Sequence, residues 1–494
     1  MSEEKEVPIK ESTEKPEPKD EIVITQHTIT LNGQTLSYTV TTGTIILKEE
    51  SEKKGENAGE AEGEMPRAAI FFIAYTRNDV ADSVKRPLTF SFNGGPGSSS
   101  VWLHLGVLGP KRVMMDDEGN PTPPPYRLVE NEYSLLDVTD LVFIDPVSTG
   151  YSRVVSGEKA KAFHGFKKDI ESVGDFIRLY VTRYQRWGSP KFLIGESYGT
   201  TRAAGVSGYL QDRYGMYLNG IMLVSAVLDF ATLNFLPGND LPYILFLPTY
   251  TATAWYHKRL EAELQNDLKT ALIEAKTFAL GEYTLALFKG GEMKSDERAQ
   301  IVQKLARLTG LSTDYIERTD LRIKIHRFCK ELLRDQRRVV GRLDSRFKGI
   351  DRDAAGEIYD QDPSMTNIMG PFTATLNEYV RRDLGFQSDL PYEIMTGKVR
   401  PWSFGDHENQ FVYVAETLRR AMTINPFLRV HIANGYYDLA TPFLATEYTF
   451  NHLGLDESLQ KNISMSYYEA GHMMYIHIPS LARMKAELAA FITV

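Results

Sequence analysis

A chain of 494 residues, 42% hydrophobic and 24% charged, has the makeup of an ordinary globular protein with material for a large buried core. Its 65 acidic residues outnumber the 56 basic ones, giving a net charge of −9. No basic block stands out and no apolar run reaches the length of a membrane span, so neither nucleic acid nor membrane is expected as a partner.

Met1–Asp20 is rich in Lys, Glu and Pro and has no apolar run of the secretory-signal type, so it reads as a disordered tail of a cytoplasmic protein. Glu21–Leu31 and Gln34–Lys48 carry Thr, Val, Ile and Tyr in strand-like proportion, and Asn32-Gly33 between them predicts a hairpin. Glu49–Met65, acidic and Gly-rich, predicts a mobile surface loop. Ala68–Thr76 and Leu88–Phe92 are strand candidates, the second running into Asn93-Gly94-Gly95-Pro96-Gly97-Ser98-Ser99-Ser100. No Gly-Lys-Ser/Thr follows, which argues against a phosphate cradle.

Leu141–Asp145 is the next strand, Phe166–Arg186 an amphipathic helix, and Phe192–Ile194 a short buried strand. Gly195-Glu196-Ser197-Tyr198-Gly199 follows, then a helical segment, Thr201–Tyr214, and a buried run, Gly220–Ser225. This alternation predicts a mainly parallel sheet with helices on both faces. From Phe230 to Val399 the rhythm breaks into helices and loops, including Tyr256–Phe278, Ser295–Leu308, Thr319–Asp335 and Asn367–Leu384. Cys329, the single cysteine, lies here in IHRFCKELL as an expected small buried hydrophobe, so no intrachain disulfide can form. Strands resume at Arg429–Ala433 and Ile463–Tyr468, and Ser480–Ile492 closes the chain as an amphipathic helix.

Strand, G-x-S-x-G and helix together make the nucleophile elbow of α/β-hydrolases, which lifts the Ser197 hydroxyl clear of the sheet. The glycine loop after Leu88–Phe92 then supplies one oxyanion donor and the residue after the nucleophile the other, namely the main-chain N–H groups of Gly95 and Tyr198. The remaining partners follow in the order acid, then histidine. Asp438 and His472 each sit in a loop just past a strand end, so His472 is the expected proton carrier and Asp438 its orienting acid. Asp229 and His477 are the rivals for those two places, while His104, His164 and His431 read as structural. No histidine or cysteine spacing suggests a metal, and no cofactor is expected.

With NGGPGSSS, GESYG, NGYYDL and AGHMMY in this order, the chain resembles the serine carboxypeptidase family, whose motifs read N-G-G-P-G-C-S-S, G-E-S-Y-G, G-D-x-D and G-G-H-M. FIDPVSTGYS resembles that family's D-Q-P-V-G-T-G-F-S. The likeness covers the sheet-forming portions, Leu88–Val227 and Arg429–Val494. It implies removal of single residues from peptides with a free C-terminus, with Ser197, Asp438 and His472 as triad, and Asn93, Gly94 and Glu196 binding the terminal carboxylate. A charged Glu196 would repel that carboxylate, so it must be protonated, its pKa raised by desolvation. Two departures stand out. Ser98 replaces the family's cysteine, and the family's second acidic residue, which shares a proton with the first, falls at Val107. A less acidic optimum is therefore expected, with His104, Lys111 or Arg112 as candidate compensators.

The expected fold is an α/β-hydrolase: residues 21–229 and 400–494 form the catalytic domain, 230–399 an inserted helical cap, and 1–20 a disordered tail. The expected activity is serine-type carboxypeptidase. An esterase or acyltransferase on the same scaffold is one alternative, and a non-catalytic interaction module another.

Overall fold

Alternation along the central strands decides the layering. A computed structural model describes residues 17–52 and 61–493. In it Phe192 and Ile194 face one side of the sheet and Leu193 the other, and Met222 and Val224 likewise oppose Ile221 and Leu223. Strands buried on both faces need apolar residues at every position, which is why these runs are unbroken.

The strands of the main sheet are β1 (Glu21–Leu31), β2 (Gln34–Glu52), β3 (Ala61–Arg77), β4 (Leu88–Phe92), β5 (Asp140–Ile144), β6 (Lys191–Glu196), β7 (Gly220–Val224), β8 (Arg429–Gly435) and β9 (Ile463–Tyr468). They lie in the order β1-β2-β3-β5-β4-β6-β7-β8-β9, and Arg153–Val154 pairs with β3 as a tenth strand. From β5 to β9 every neighbouring pair is parallel, whereas β1, β2 and β3 add an antiparallel wing. Asn32 and Gly33 both take positive φ, 50° and 77°, as a two-residue hairpin turn demands.

Helices α1 (Phe166–Arg183), α2 (Tyr198–Tyr214) and α4 (Ala415–Ile424) cover one face, and α5 (Ile478–Thr493) packs Leu481, Met484 and Leu488 on the other. Between β7 and β8 the chain is mostly helical, beginning with α3 (Leu241–Tyr256) after a short turn. This insertion builds its own core around Tyr250, Leu305, Phe328 and Cys329, and shares it with Tyr437 and Phe443 beside the loop that follows β8. Burial pushes the Cys329 thiol up, so it stays neutral and inert.

Several sequence expectations are corrected. Glu49–Glu52 and Ala61–Met65 are not loop but the paired ends of β2 and β3, because ladder hydrogen bonds hold a strand together whatever its outward side chains are. Residues 53–60 of that predicted loop lie outside the described residues. The predicted helix Tyr256–Phe278 is broken. α3 ends at Tyr256, Lys258 turns to φ 58°, and a new helix at Leu268 is capped by Asp267, which accepts from Thr270 N at 2.8 Å. Within Thr319–Asp335 the α-helix likewise shrinks to Ile325–Glu331, with a 3-10 turn from Arg334, since Asp320 and Leu321 both have positive φ. Arg338–Val340 and Lys348–Ile350 form a small hairpin in a segment expected to be helix and loop.

The predicted tail falls mostly on residues 1–16, outside the described residues. Its end is tied down: Asp20 accepts from Ile46 N at 2.8 Å, and Glu17 lies 3.0 Å from Lys48.

Candidate active site

Ser197 connects β6 to α2 with φ 59° and ψ −129°, a conformation that costs a non-glycine residue about 1–3 kcal/mol and persists only when its surroundings enforce it. The enforcement is visible. Ser197 N donates to Val224 O at 3.0 Å, and the Ser197 carbonyl accepts from both Thr200 N at 2.8 Å and Thr200 Oγ1 at 2.7 Å. A Cβ at Gly195 would lie 2.1 Å from Gly199 O, so the turn closes only without a side chain there.

The glycine loop after β4 is pressed against this elbow: a Cβ on Gly94 would sit 2.4 Å from Tyr198 N. The N–H groups of Gly95 and Tyr198 donate to no other group among the described residues. Arg202 of α2, a fully buried side chain, reaches back to the same loop. Its Nη1 donates to the Asn93 carbonyl, while Nε and Nη2 fork onto Asp169 of α1 at 2.8 and 3.1 Å. Phe92 and Tyr198 stack their rings on that guanidinium.

Asp438 and His472 come together, and His472 lines the same pocket as Ser197. His472 Nδ1 lies 2.7 Å from Asp438 Oδ2, and both residues are buried. Thr441 Oγ1 also donates to Oδ2 at 2.6 Å, and the N–H groups of Ala440 and Thr441 donate to Oδ1 at 2.7 and 3.0 Å. With every lone-pair direction occupied, the carboxylate stays in place and fixes the proton on Nδ1, leaving Nε2 as an acceptor. Burial disfavours the imidazolium, but the charge and hydrogen bond of Asp438, helped by Glu196, outweigh it, so His472 titrates above the usual histidine value.

The insertion braces the histidine loop. Leu343 O accepts from His472 N at 2.6 Å, and Asp344, clamped by Arg346 at 2.8 Å, accepts from Gly471 N at 3.0 Å. From beneath, Ser225 Oγ donates to the His472 carbonyl at 2.7 Å. Sequence reading missed these supports because their partners lie more than a hundred residues away.

One pocket of about 120 Å³ is lined by Asn93, Gly94, Gly95, Glu196, Ser197 and His472. That is less than the roughly 300–1,000 Å³ typical of a site enclosing a whole drug-sized ligand, and it suits the end of a chain. Glu196 is buried, and burial, with some help from the Asp438 charge, pushes its carboxyl up to about 7 against the opposing pull of His472, Tyr475 and Asn93. Asn93 Oδ1 accepts from Leu103 N at 3.2 Å. Its Nδ2 is buried beside Glu196 without an acceptor of full hydrogen-bond geometry.

The group facing Glu196 is Tyr475, whose hydroxyl donates to Oε2. Gly106 makes room for it, since a Cβ there would lie 2.3 Å from the tyrosine ring. The three candidate compensators stand elsewhere. His104 bonds Tyr75 at 2.6 Å and is driven down to about 3 by burial, Lys111 pairs with Glu130, and Arg112 pairs with Glu132. Val107 is part of the apolar core.

The two rivals are also elsewhere. Asp229 caps a short turn by accepting from Ala231 N at 2.8 Å, and His477 bonds Ser480 at 2.8 Å. No group of His, Cys, Asp and Glu suited to a metal occurs among the described residues.

A serine on a strained strand-to-helix turn, with an Asp–His pair at the ends of the following parallel strands, defines an α/β-hydrolase fold. The model of the serine carboxypeptidase family matches residues 60–478, and the chain belongs to that family.

Among curated relatives, the pheromone-processing carboxypeptidase KEX1 of Saccharomyces cerevisiae is 36% identical over 135 residues, 26% of this chain and 17% of that protein. Serine carboxypeptidase-like 29 of Arabidopsis thaliana is 27% identical over 170 residues, 33% of each. The aligned part thus spans between 17% and 33% of these relatives' length. The crystal structure of the Saccharomyces cerevisiae prohormone-processing carboxypeptidase KEX1(DELTA)P shares the fold, with a TM-score of 0.56 and 17% identity over 91% of both chains.

Proposed function

We propose that the protein is a serine-type carboxypeptidase that releases the last residue of a peptide through an acyl-enzyme on Ser197. The observation that carries this reading is a single pocket in which Ser197 and His472 adjoin a buried Asn93 Nδ2 that makes no hydrogen bond of full geometry among the described residues and a Glu196 carboxyl pushed up to about 7 by burial. A nucleophile alone would suit any ester or amide. The second pair of groups suits a carboxylate close to the scissile bond.

In this mechanism Ser197 Oγ attacks the carbonyl carbon of the last peptide bond and its proton passes to His472 Nε2. The N–H groups of Gly95 and Tyr198 receive the oxyanion. Collapse expels the amine, which takes the proton from His472, and water then opens the ester by the same route. Asp438 keeps the imidazole oriented and stabilises its charged form. Protonated Glu196 and the Asn93 amide hold the terminal carboxylate. The inserted segment serves as a cap over the pocket. The proposal extends to a cytoplasmic setting, because a fold whose one thiol is buried at Cys329 suits a reducing compartment.

N-blocked dipeptides with a free carboxylate should be cleaved about 10–100-fold more efficiently than their C-terminal amides, the range expected for hydrogen bonds to a charged group. Equal rates on both, with ready turnover of simple esters, would instead identify an esterase.

The pH dependence follows from signs. Glu196 holds its proton below about 7 and loses it above, so affinity for an anionic chain end is intact in acid and falls as pH rises through that value. KM should climb up to about tenfold per pH unit on the alkaline side. On the acid side kcat/KM should fall as His472 takes up a proton, from a point above the ordinary histidine value. Amide substrates should keep the acid limb and lose the alkaline one. A KM that stays level from acid to mildly alkaline pH counts against this role for Glu196.

A further inference from the structure

Arg342 is the guanidinium in the pocket wall that the mechanism above leaves unused. It lines the same pocket as Ser197, Glu196 and His472, and its charge opposes protonation of His472. Its side chain is half-buried, and among the described residues it makes no hydrogen bond and no ion pair. A guanidinium is charged at every accessible pH, and holding one partly out of water without a counter-ion is unfavourable.

The Asp362 carboxylate holds the main chain of Arg342 and forms no ion pair with its guanidinium. Asp362 accepts from the backbone N–H of Arg342 at 3.1 Å and from Ser364 N at 3.0 Å, and it also takes the Ser364 hydroxyl. This fixes the main chain at Arg342 and leaves the side chain to the pocket. The neighbouring Arg346 shows the contrast, since Asp344 grips it through both carboxylate oxygens.

The pocket therefore presents anion-binding groups in two places. Asn93 and Glu196 flank Ser197 from β4 and β6, whereas Arg342 projects from the insertion. The remaining wall contributed by the insertion, Leu343, Met365, Ile368 and Met395, is apolar and offers no other charge.

Resting on the carboxypeptidase reading, in which Asn93 and Glu196 take the terminal carboxylate, we propose that Arg342 forms a subsite for an acidic side chain on one of the substrate's last two residues. The enzyme then prefers peptides ending in, or next to, Asp or Glu. Glutamate and glutamine have the same shape, so comparing them isolates the charge.

The test is kcat/KM for N-blocked dipeptides carrying Glu or Gln at the last position or at the one before it, measured on wild type, Arg342→Gln and Arg342→Lys. Wild type should favour Glu over Gln by about 10–100-fold at one position, as a charge-assisted hydrogen bond to a partly buried cation gives. Arg342→Gln should bring that ratio to about one, and Arg342→Lys should retain part of it, keeping the charge but not the planar fork. High salt should shrink the wild-type ratio.

A ratio unchanged in Arg342→Gln overturns the subsite. So does an equal loss on every free-carboxylate peptide, which would place the terminal carboxylate on Arg342 instead. Absence of turnover of all these peptides by wild type is a different result: it overturns the carboxypeptidase reading itself, and the subsite with it.

Discussion

Replacing Ser197 by alanine is expected to lower kcat on a peptide with a free C-terminus by about 10⁴-fold or more and to leave KM nearly unchanged, because the proposed nucleophile acts in the transition state rather than in ground-state binding. His472→Ala should do the same, and the double variant should be no worse than either single one, since the two side chains work as one unit. Asp438→Asn should cost about 10⁴-fold while leaving the fold intact: its neighbours Ala440, Thr441 and His472 remain, but the imidazole tautomer they frame is wrong for accepting a proton from serine. Release of free amino acid, followed chromatographically, reads all four. A Ser197→Ala enzyme retaining activity within tenfold of wild type, or two single losses that multiply in the double variant, would remove these residues from the chemistry.

Asp169→Ala is expected to destabilise the protein by about 3–5 kcal/mol, because it strands the Arg202 guanidinium inside the core without its carboxylate. The pair is 1% and 3% exposed, so water cannot take over. The same substitution should reach the active site. Arg202 also holds the Asn93 carbonyl, and a loosened guanidinium releases the loop that carries Gly94 and Gly95, where a shift of about 1 Å can cost 10²-fold in rate. Replacing both charges, as in Asp169→Leu with Arg202→Met, should restore part of the stability, since an apolar pair leaves no charge unpaired, yet leave kcat low because the Asn93 carbonyl loses its anchor. Urea unfolding and steady-state kinetics on the two variants separate these effects. A loss below about 1 kcal/mol in Asp169→Ala, or full activity in the double variant, would show that the pair neither stabilises nor positions.

Much of the main sheet was legible because its strands obey local rules. Phe192–Ile194 and Gly220–Val224 are apolar at each successive position, as strands buried on both faces must be, and Asn32-Gly33 sits where only positive φ closes a hairpin. The insertion was less legible. Its helix breaks fall at Lys258 and at Asp320-Leu321, non-glycine residues at positive φ that no neighbouring glycine or proline announces.

The sequence by itself determined the order of the chemistry: the elbow at Ser197, the glycine loop at Gly94-Gly95, and Asp438 and His472 each just past a strand. Strand–turn–helix geometry and parallel pairing force those loops to one edge of the sheet. What the tertiary structure decided was everything that depends on contacts between distant segments. Tyr475 faces Glu196 across the space left by Gly106, Arg202 ties Asp169 to Asn93, Leu343 and Asp344 steady the histidine loop, and Arg342 reaches the pocket with no ion pair among the described residues. Burial and proximity arise only when the chain closes on itself, and they decide which carboxyl is pushed up in pKa and which guanidinium faces the pocket.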